Sequence, residues 1–290
     1  MSQMDFVSPA TADDAVKALA DAGAAGRPLG GGTDLLVQLK AGRAKPSLIV
    51  DLKRIPGAIG IRQEPDGGFT IGAATCGAVI GEHEALAKAW PGVVEAANLI
   101  GSTQVQGRAT LAGNLCNASP AADSVPAMVA ARAVCVIVGP KGRREAPVES
   151  IAVGPGQTSL APGEFVFEIR LPPRPARSGD AYLRLIPRTE MDIAVAGAGV
   201  SLSLDASGVV TEAHVALGAV APTVLLVPEA GAALKGTKVD DKALAALDAA
   251  ARAACRPNSD KRGTAEYRTK IAGVLARRAA VIAYNRAKAR

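Results

Sequence analysis

Gln106-Gly-Arg-Ala-Thr-Leu-Ala-Gly-Asn-Leu-Cys-Asn-Ala-Ser-Pro-Ala-Ala-Asp123 is the stretch on which the reading of the fold turns. It gathers hydroxyls (Thr110, Ser119), amides (Asn114, Asn117) and a flexible backbone at Gly113, then ends on an acid. The surrounding span from Gly101 to Ser124 shows little periodicity and is too long for an ordinary connection. Long irregular segments in compact domains usually carry function. Asp123 precedes a helical pattern, Val125–Ala131, and two readings stay open for it. It caps that helix, or it makes a ribose or phosphate-side contact to a nucleotide.

Working upstream, Thr11 with Asp14 three residues on predicts a helix start, stopped at Gly23. Leu29-Gly30-Gly31-Gly32-Thr33-Asp34 then opens a short helix, Leu35–Lys40. Consecutive glycines let a backbone turn tightly and approach a ligand closely. Main-chain N–H groups in such a turn, with the first turn of the next helix, form a donor surface for phosphate. The pattern is neither Walker A nor GxGxxG, and a purely structural tight turn explains it equally well. Strands are predicted at Ser47–Leu52, Phe69–Ala73, Ala133–Val138 and Glu164–Leu171, and helices at Val79–Lys88 and Val93–Ile100.

Downstream, Pro172-Pro-Arg-Pro175 and Arg177-Ser-Gly179 mark a boundary. Beyond it, Tyr182-Leu-Arg184-Leu-Ile-Pro-Arg188 places two cations four residues apart, which on a strand share a face. They read as a solvated basic edge or as charge facing a cofactor. Ile193–Leu204 and Val209–Val220 alternate around Asp205-Ala-Ser-Gly208, which predicts an antiparallel hairpin. Helices follow at Asp241–Cys255 and Ala265–Ala287.

Charge and composition narrow the function. The 290 residues carry 33 Lys+Arg against 27 Asp+Glu, a formal +6. From Arg252 onward the segment holds 11 Lys+Arg and 2 Asp+Glu, so everything before it sums to −3. The basicity thus belongs to one terminal segment. With eight aromatic residues in the whole chain, the stacking platforms that hold single-stranded nucleic acid are missing. Cys76, Cys116, Cys135 and Cys255 form no CxxC pair, so neither a zinc site nor an iron–sulfur cluster is expected. His83 reads as an exposed helix residue and His214 as a strand residue, so a histidine-based metal site or triad lacks material. No run of apolar residues is long enough to span a membrane. The polar start, MSQMDFVSPATADD, lacks the order of a secretion signal, and the expected location is the cytoplasm.

In combination these segments resemble the FAD-binding medium subunits of the molybdenum hydroxylases, the xanthine dehydrogenase and aerobic carbon monoxide dehydrogenase group. GGGTDLLVQLK (residues 30–40) is similar to the first flavin motif, TIGAATCGAVI (70–80) to the segment that follows, and Gln106–Asp123 to the second motif. YLRLIPRTEMDIAVAGAGVSL (182–202) and GTAEYRTKIAGVLARRA (263–279) are similar to the family's C-terminal domain. The family commonly has Gly-Gly-Asn where this chain has Ala112-Gly113-Asn114, one methyl more. It also often has a glycine pair with small residues where this chain has Leu29 before Gly30-Gly31-Gly32.

The resemblance implies an α+β protein: a two-subdomain FAD-binding fold of the PCMH/vanillyl-alcohol-oxidase type, then a C-terminal domain of antiparallel strands plus helices. The expected divisions are 1–55, 56–175 and 176–290. It implies that Pro28, Leu29, Gly30, Gly31, Gly32, Thr33, Asp34 and Leu35 wrap the FAD diphosphate and that Thr110, Gly113 and Asn114 continue the cradle. Asp123 would bond the flavin or ribitol side, Ile100 would pack on the isoalloxazine, and Val166 and Arg184 would line the ring's far edge. No catalytic residue and no metal ligand is expected in this chain. The implied partners are a large molybdopterin subunit and a small subunit with [2Fe–2S] clusters, as a dimer of heterotrimers. Electrons would pass from the clusters to FAD and on to an external acceptor while the large subunit hydroxylates its substrate. The first motif lacks the Gly-Gly-His-Ser form associated with carbon monoxide dehydrogenases, which tilts the expectation toward organic substrates. The basic terminal helix is expected either to dock on acidic partner surfaces or simply to be solvated. Two alternatives are a stand-alone FAD-dependent oxidase or reductase of the PCMH fold and a basic, non-enzymatic binding protein, which bound flavin would exclude.

Overall fold

The computed structural model describes residues 4–290; of the polar start, Met1–Gln3 lie outside the described residues. Three main sheets and a ribbon follow one another along the chain. Strands β1 (Asp5–Val7), β2 (Gly26–Leu29) and β3 (Leu48–Asp51) make a parallel sheet in the order β1-β3-β2. Helices α1 (Ala12–Ala22) and α2 (Leu35–Lys40) connect them. Thr11 caps α1 by accepting the Asp14 N–H (3.1 Å), and Gly23 ends it at φ +55°.

An antiparallel sheet of five strands comes next, in the order β4-β5-β10-β6-β7. It comprises β4 (Ile61–Gln63), β5 (Phe69–Gly72), β6 (Val134–Gly139), β7 (Gly142–Pro147) and β10 (Phe165–Leu171), with the small ribbon β8 (Ala152–Gly154) and β9 (Gln157–Thr158) in between. Six helices run from β5 to β6: α3 (Gly77–Glu82), α4 (Glu84–Ala89), α5 (Pro91–Ala97), α6 (Thr103–Gln106), α7 (Leu111–Cys116) and α8 (Ser124–Ala130). The last sheet, β11 (Ser178–Leu185), β12 (Ala196–Leu204), β13 (Val210–Gly218) and β14 (Leu225–Leu226), is antiparallel in that order. It is covered by α9 (Pro228–Leu234), α10 (Asp241–Ala254) and α11 (Ala265–Lys288). The architecture is the α+β arrangement that the resemblance implies.

Three hydrophobic clusters hold these layers, and two of them cross from sheet to sheet. Phe165, Phe167 and Val138 of the second sheet are buried with Val50 of the first and with Val16 and Leu19 of α1. Tyr182 and Ala216 of the third sheet join the cluster around Phe69, Ile71 and Met128. Small residues permit the closest approaches. A Cβ on Gly199 of β12 would lie 2.5 Å from the Pro126 carbonyl of α8, and one on Gly179 of β11 would lie 2.0 Å from the Ala283 carbonyl of α11. The face of α11 toward the sheet is accordingly alanine after alanine, from Ala272 to Ala287.

Several elements differ from the sequence-based expectations. The helix expected over Val79–Lys88 is two helices broken at His83, which is half-buried, not exposed. Its Nδ1 accepts the Leu86 N–H (3.1 Å) as the cap of α4, and its ring meets Phe69 edge to face. The helix expected over Val93–Ile100 begins at Pro91, where a proline fits the first turn, and ends at Ala97. Strand β7 has the sequence GRREAP, which has no apolar alternation to betray it; pairing with β6 makes it a strand. Arg184 and Arg188 do not share a strand face, because β11 ends at Leu185. Arg188 is instead exposed and paired with Asp192 (3.2 Å).

Five of the eleven cations in the basic C-terminal segment form ion pairs inside the chain. Arg268 pairs with Asp260, Arg252 and Arg277 with Asp248, Arg262 with Asp192, and Arg286 with Glu95. On α11 itself Arg268, Arg277 and Arg286 are thereby paired, three of its six cations. Arg286 also donates to the Asp180 carbonyl (2.8 Å), tying the end of α11 to the start of β11.

Asp180 is the buried centre of this joint. Its carboxylate accepts the Gly92 N–H (2.9 Å) and pairs with Arg174 (3.1 Å), whose guanidinium lies 4.1 Å over the Trp90 ring. Burial pushes its carboxyl from an ordinary 3.8 up to about 6; Arg174 and Arg286 pull downward, and Glu95 adds to the rise. The folded chain therefore binds this proton more tightly than the unfolded chain does. The stabilising contribution is complete below pH 3.8 and is lost as pH rises through about 6. Urea unfolding of wild type and Asp180→Asn should therefore give a stability gap that widens as pH falls from 7 to about 4. The widening should be no more than about 3 kcal/mol. A gap that narrowed over this range would contradict the assignment.

Candidate functional site: a glycine-lined cleft between two sheets

The two glycine-bearing segments meet. A Cβ on Gly31 would stand 1.9 Å from the Arg108 carbonyl oxygen, and one on Gly30 would stand 3.3 Å from Thr110 Oγ1. Gln38 of α2 donates to Asn117 beyond α7 (2.9 Å), so the segments are bridged a second time. Each also has its own anchor. Lys53 donates to the Gly30 carbonyl (3.1 Å) and pairs with Asp51, while Gly77 N–H bonds the Ala109 carbonyl (2.8 Å).

Between them opens a cleft of about 740 Å³. Its wall includes Pro28, Leu29, Gly30, Gly31, Gly32, Thr33, Asp34 and Leu35 from the first segment and Thr110, Gly113 and Asn114 from the second. Ile100 stands on the same wall. Among the described residues, the main-chain N–H groups from Gly31 to Leu35 have no acceptor. Gly32 turns at φ +81°, a conformation glycine adopts freely. Asp34 precedes α2 without capping it. Thr110 caps α7 by accepting the Gly113 N–H (2.9 Å). Asn114 Oδ1 accepts from Ser124 Oγ (2.7 Å), which fixes the amide plane.

Such a run of unpartnered donors in a concave, Cβ-free turn suits a diphosphate, whose charge the donors and the helix start both favour. Arg27, Arg43 and Lys45 add positive charge at the rim. The cleft is large enough for a dinucleotide-sized ligand, since small-molecule sites span roughly 300–1,000 Å³. The residues present thus fit FAD: donors for its diphosphate, and aliphatic Ile100 for an apolar ring. When bound, FAD supplies a centre that accepts electrons singly or in pairs; the chain supplies binding, orientation and shielding from water. Burial pushes the Cys116 thiol in the cleft up to about 12, so no reactive thiolate is present at neutral pH.

The remaining expected residues lie elsewhere. Val166 sits on β10 within the hydrophobic core. Asp123 is buried at the start of α8 but makes no cap hydrogen bond, which removes the capping explanation. One carboxylate oxygen accepts from Tyr182 Oη (3.0 Å) and the other pairs with Arg184, whose side chain is 5% exposed. Burial raises the Asp123 carboxyl, with Arg184 and Tyr182 pulling the other way. Burial, and then the Asp123 charge, raises the Tyr182 phenol well above its usual value, so it stays a donor. The bonds made by Lys53, Gln38 and Tyr182 were not legible in the sequence. Their partners lie 23, 79 and 59 residues away, and no local pattern signals such pairings.

A parallel and an antiparallel sheet joined across two glycine segments, with a third sheet behind, define an FAD-binding oxidoreductase subunit. The chain belongs to the flavoprotein family of the molybdopterin dehydrogenases. Residues 2–174 match the family described as FAD binding domain in molybdopterin dehydrogenase, and residues 181–282 match the CO dehydrogenase flavoprotein C-terminal domain. The carbon monoxide dehydrogenase medium chain of Afipia carboxidovorans is 38% identical over 98% of both chains. A putative xanthine dehydrogenase FAD-binding subunit of Escherichia coli is 31% identical over 91% of both. A chain of reconstituted CO dehydrogenase from Oligotropha carboxidovorans superposes with a TM-score of 0.93 at 37% identity, covering 98% of each.

Proposed function

We propose that this chain is the electron-transfer subunit of a heteromeric molybdenum hydroxylase. It takes electrons from the [2Fe–2S] clusters of a small subunit and passes them, through FAD, to an external acceptor. A large molybdopterin subunit carries out the hydroxylation. The observation that carries this reading is the joint at Gly31 and Arg108, which closes two donor-bearing segments around one cleft. In this reading Pro28–Leu35, Thr110, Gly113 and Asn114 hold the diphosphate and Ile100 packs on the ring. Asp123 and Arg184 brace the flavin end, with Val166 in the wall behind. The divisions 1–55, 56–175 and 176–290 act as two cofactor-binding units and one docking unit.

The chain works with its partners as a dimer of heterotrimers in the cytoplasm. No group of three or more metal-ligating side chains occurs among the described residues. No helix among them is long and apolar enough to cross a membrane. Gly32-Thr33 in place of a His-Ser pair supports an organic substrate for the large subunit.

Co-expression with the two neighbouring subunits tests the relay. Reducing the clusters should bleach the flavin absorbance of the complex. Reduced clusters beside a flavin that stays oxidised would refute it.

A further inference from the structure

The glycine turn of the first segment has a support behind it that does not line the cleft. Parallel strands β1, β3 and β2 bring Ser8, Asp51 and Gly30 to one edge of the first sheet, at their carboxyl ends. Ligands of parallel sheets bind along that edge. Leu29 and Asp51 are register partners at the ends of β2 and β3, so Gly30 and Lys53 leave the sheet side by side.

Lys53 Nζ donates to the Gly30 carbonyl (3.1 Å), and among the described residues no other group donates to it. The ammonium is itself held. Asp51 Oδ1 pairs with it and accepts the Lys53 N–H (3.2 Å), while Asp51 Oδ2 accepts from Ser8 Oγ (3.4 Å). The Asp51 side chain is only 12% exposed, so this is not an ordinary solvated surface pair. Gly30 and Gly31 line the cleft, whereas Ser8, Asp51 and Lys53 do not. Lys53 therefore acts on the cleft from behind its wall.

What it acts on is one peptide plane. The Gly30 carbonyl and the Gly31 N–H belong to the same peptide, and in a trans peptide they point in opposite directions. A carbonyl drawn back to Lys53 leaves the Gly31 N–H pointing away from Lys53, which is the side of the cleft. That N–H is the first in the run of donors without an acceptor. The local chain does not hold this orientation by itself, because glycine on both sides leaves the plane free to rotate without meeting a Cβ. Turned by half a rotation, the same plane would present its oxygen to an anion. The ammonium also polarises the peptide, which strengthens the donor at its other end.

We propose that Lys53 is a positioning residue that locks the Gly30–Gly31 peptide with its N–H toward the diphosphate of the cofactor. The inference deepens the FAD reading and rests on it. Lys53 does not touch the ligand; its charge acts through the peptide.

Calorimetric titration of the full chain with FAD and, separately, with ADP tests the lock. Lys53→Met should weaken both ligands at least about tenfold and by the same factor, because both carry the diphosphate. Lys53→Arg, which can still donate to the carbonyl, should bind both within about threefold of wild type. A crystal structure of Lys53→Met should show the Gly30 carbonyl turned into the cleft, where that of wild type shows it at Lys53. Asp51→Asn combined with Lys53→Met leaves no unpaired charge, and it should show the same losses where the single variant does not fold. Wild-type affinities in the methionine variants, a loss confined to FAD, or an arginine variant as weak as the methionine one would overturn the proposal. A Gly31 N–H that still faces the cleft in Lys53→Met would overturn it as well. A wild-type chain that binds neither ligand would refute the FAD reading, and the peptide orientation in the two crystal structures would still decide the lock.

Discussion

Gly31→Ala is expected to weaken FAD binding by about 100-fold, equivalent to roughly 3 kcal/mol. The new methyl would stand 1.9 Å from the Arg108 oxygen, 2.7 Å from its carbon and 3.1 Å from the Ala109 Cα. All three are main-chain atoms of the opposing segment, so no side-chain rotation relieves the contact. The two halves of the cradle must part, and a donor surface built from both loses its fit. Gly32→Ala makes the informative comparison. There the obstacle is the Leu29 side chain at 2.9 Å and a φ of +81°, a strain of roughly 1–2 kcal/mol within one loop. Fluorescence titration of FAD into each variant, with circular dichroism to check folding, should rank Gly31→Ala well below Gly32→Ala. Equal affinities would show that the joint is not what shapes the cleft.

Asp123→Ala is expected to cost about 3–5 kcal/mol of stability, because it leaves the Arg184 charge buried without its partner. Loss of a helix cap would cost only about 0.5–2 kcal/mol, and Asp123 makes no cap bond to lose. Tyr182→Phe removes one hydrogen bond to the same carboxylate and should cost about 1–2 kcal/mol. Adding Arg184→Met to Asp123→Ala should recover much of the loss, since the orphaned charge goes with it. Urea unfolding of the three variants measures all of this. The flavin content of the folded fraction shows whether the pair also braces the cofactor. A single variant as stable as wild type would contradict the buried pairing.

What the sequence made legible was local. The cap at Thr11, the hairpin around Asp205–Gly208 and the glycine run at 30–32 all announce themselves within a few residues. What it hid depends on partners far along the chain. GRREAP is a strand only because β6 lies beside it, and His83 breaks a helix by capping the next one. The +9 of the C-terminal segment read in sequence as one basic stretch, yet four of its eleven cations pair with the upstream acids Glu95, Asp192 and Asp248. The cleft shows the same division. Its glycines were visible, but the contact of Gly31 with Arg108 and the bridge of Gln38 to Asn117 require the fold. Asp123 is the clearest case: position suggested a cap, and only the third sheet brings Tyr182 and Arg184 to it.

The central claim is that two glycine segments jointly hold the diphosphate of FAD. Titration of the purified chain with FAD, repeated in the presence of ADP, tests it most directly. FAD should bind in stoichiometric amount, ADP should compete for the same cradle, and Gly31→Ala should lose both ligands. FAD binding indifferent to ADP and to Gly31→Ala, or no FAD binding by the wild-type chain, would contradict it.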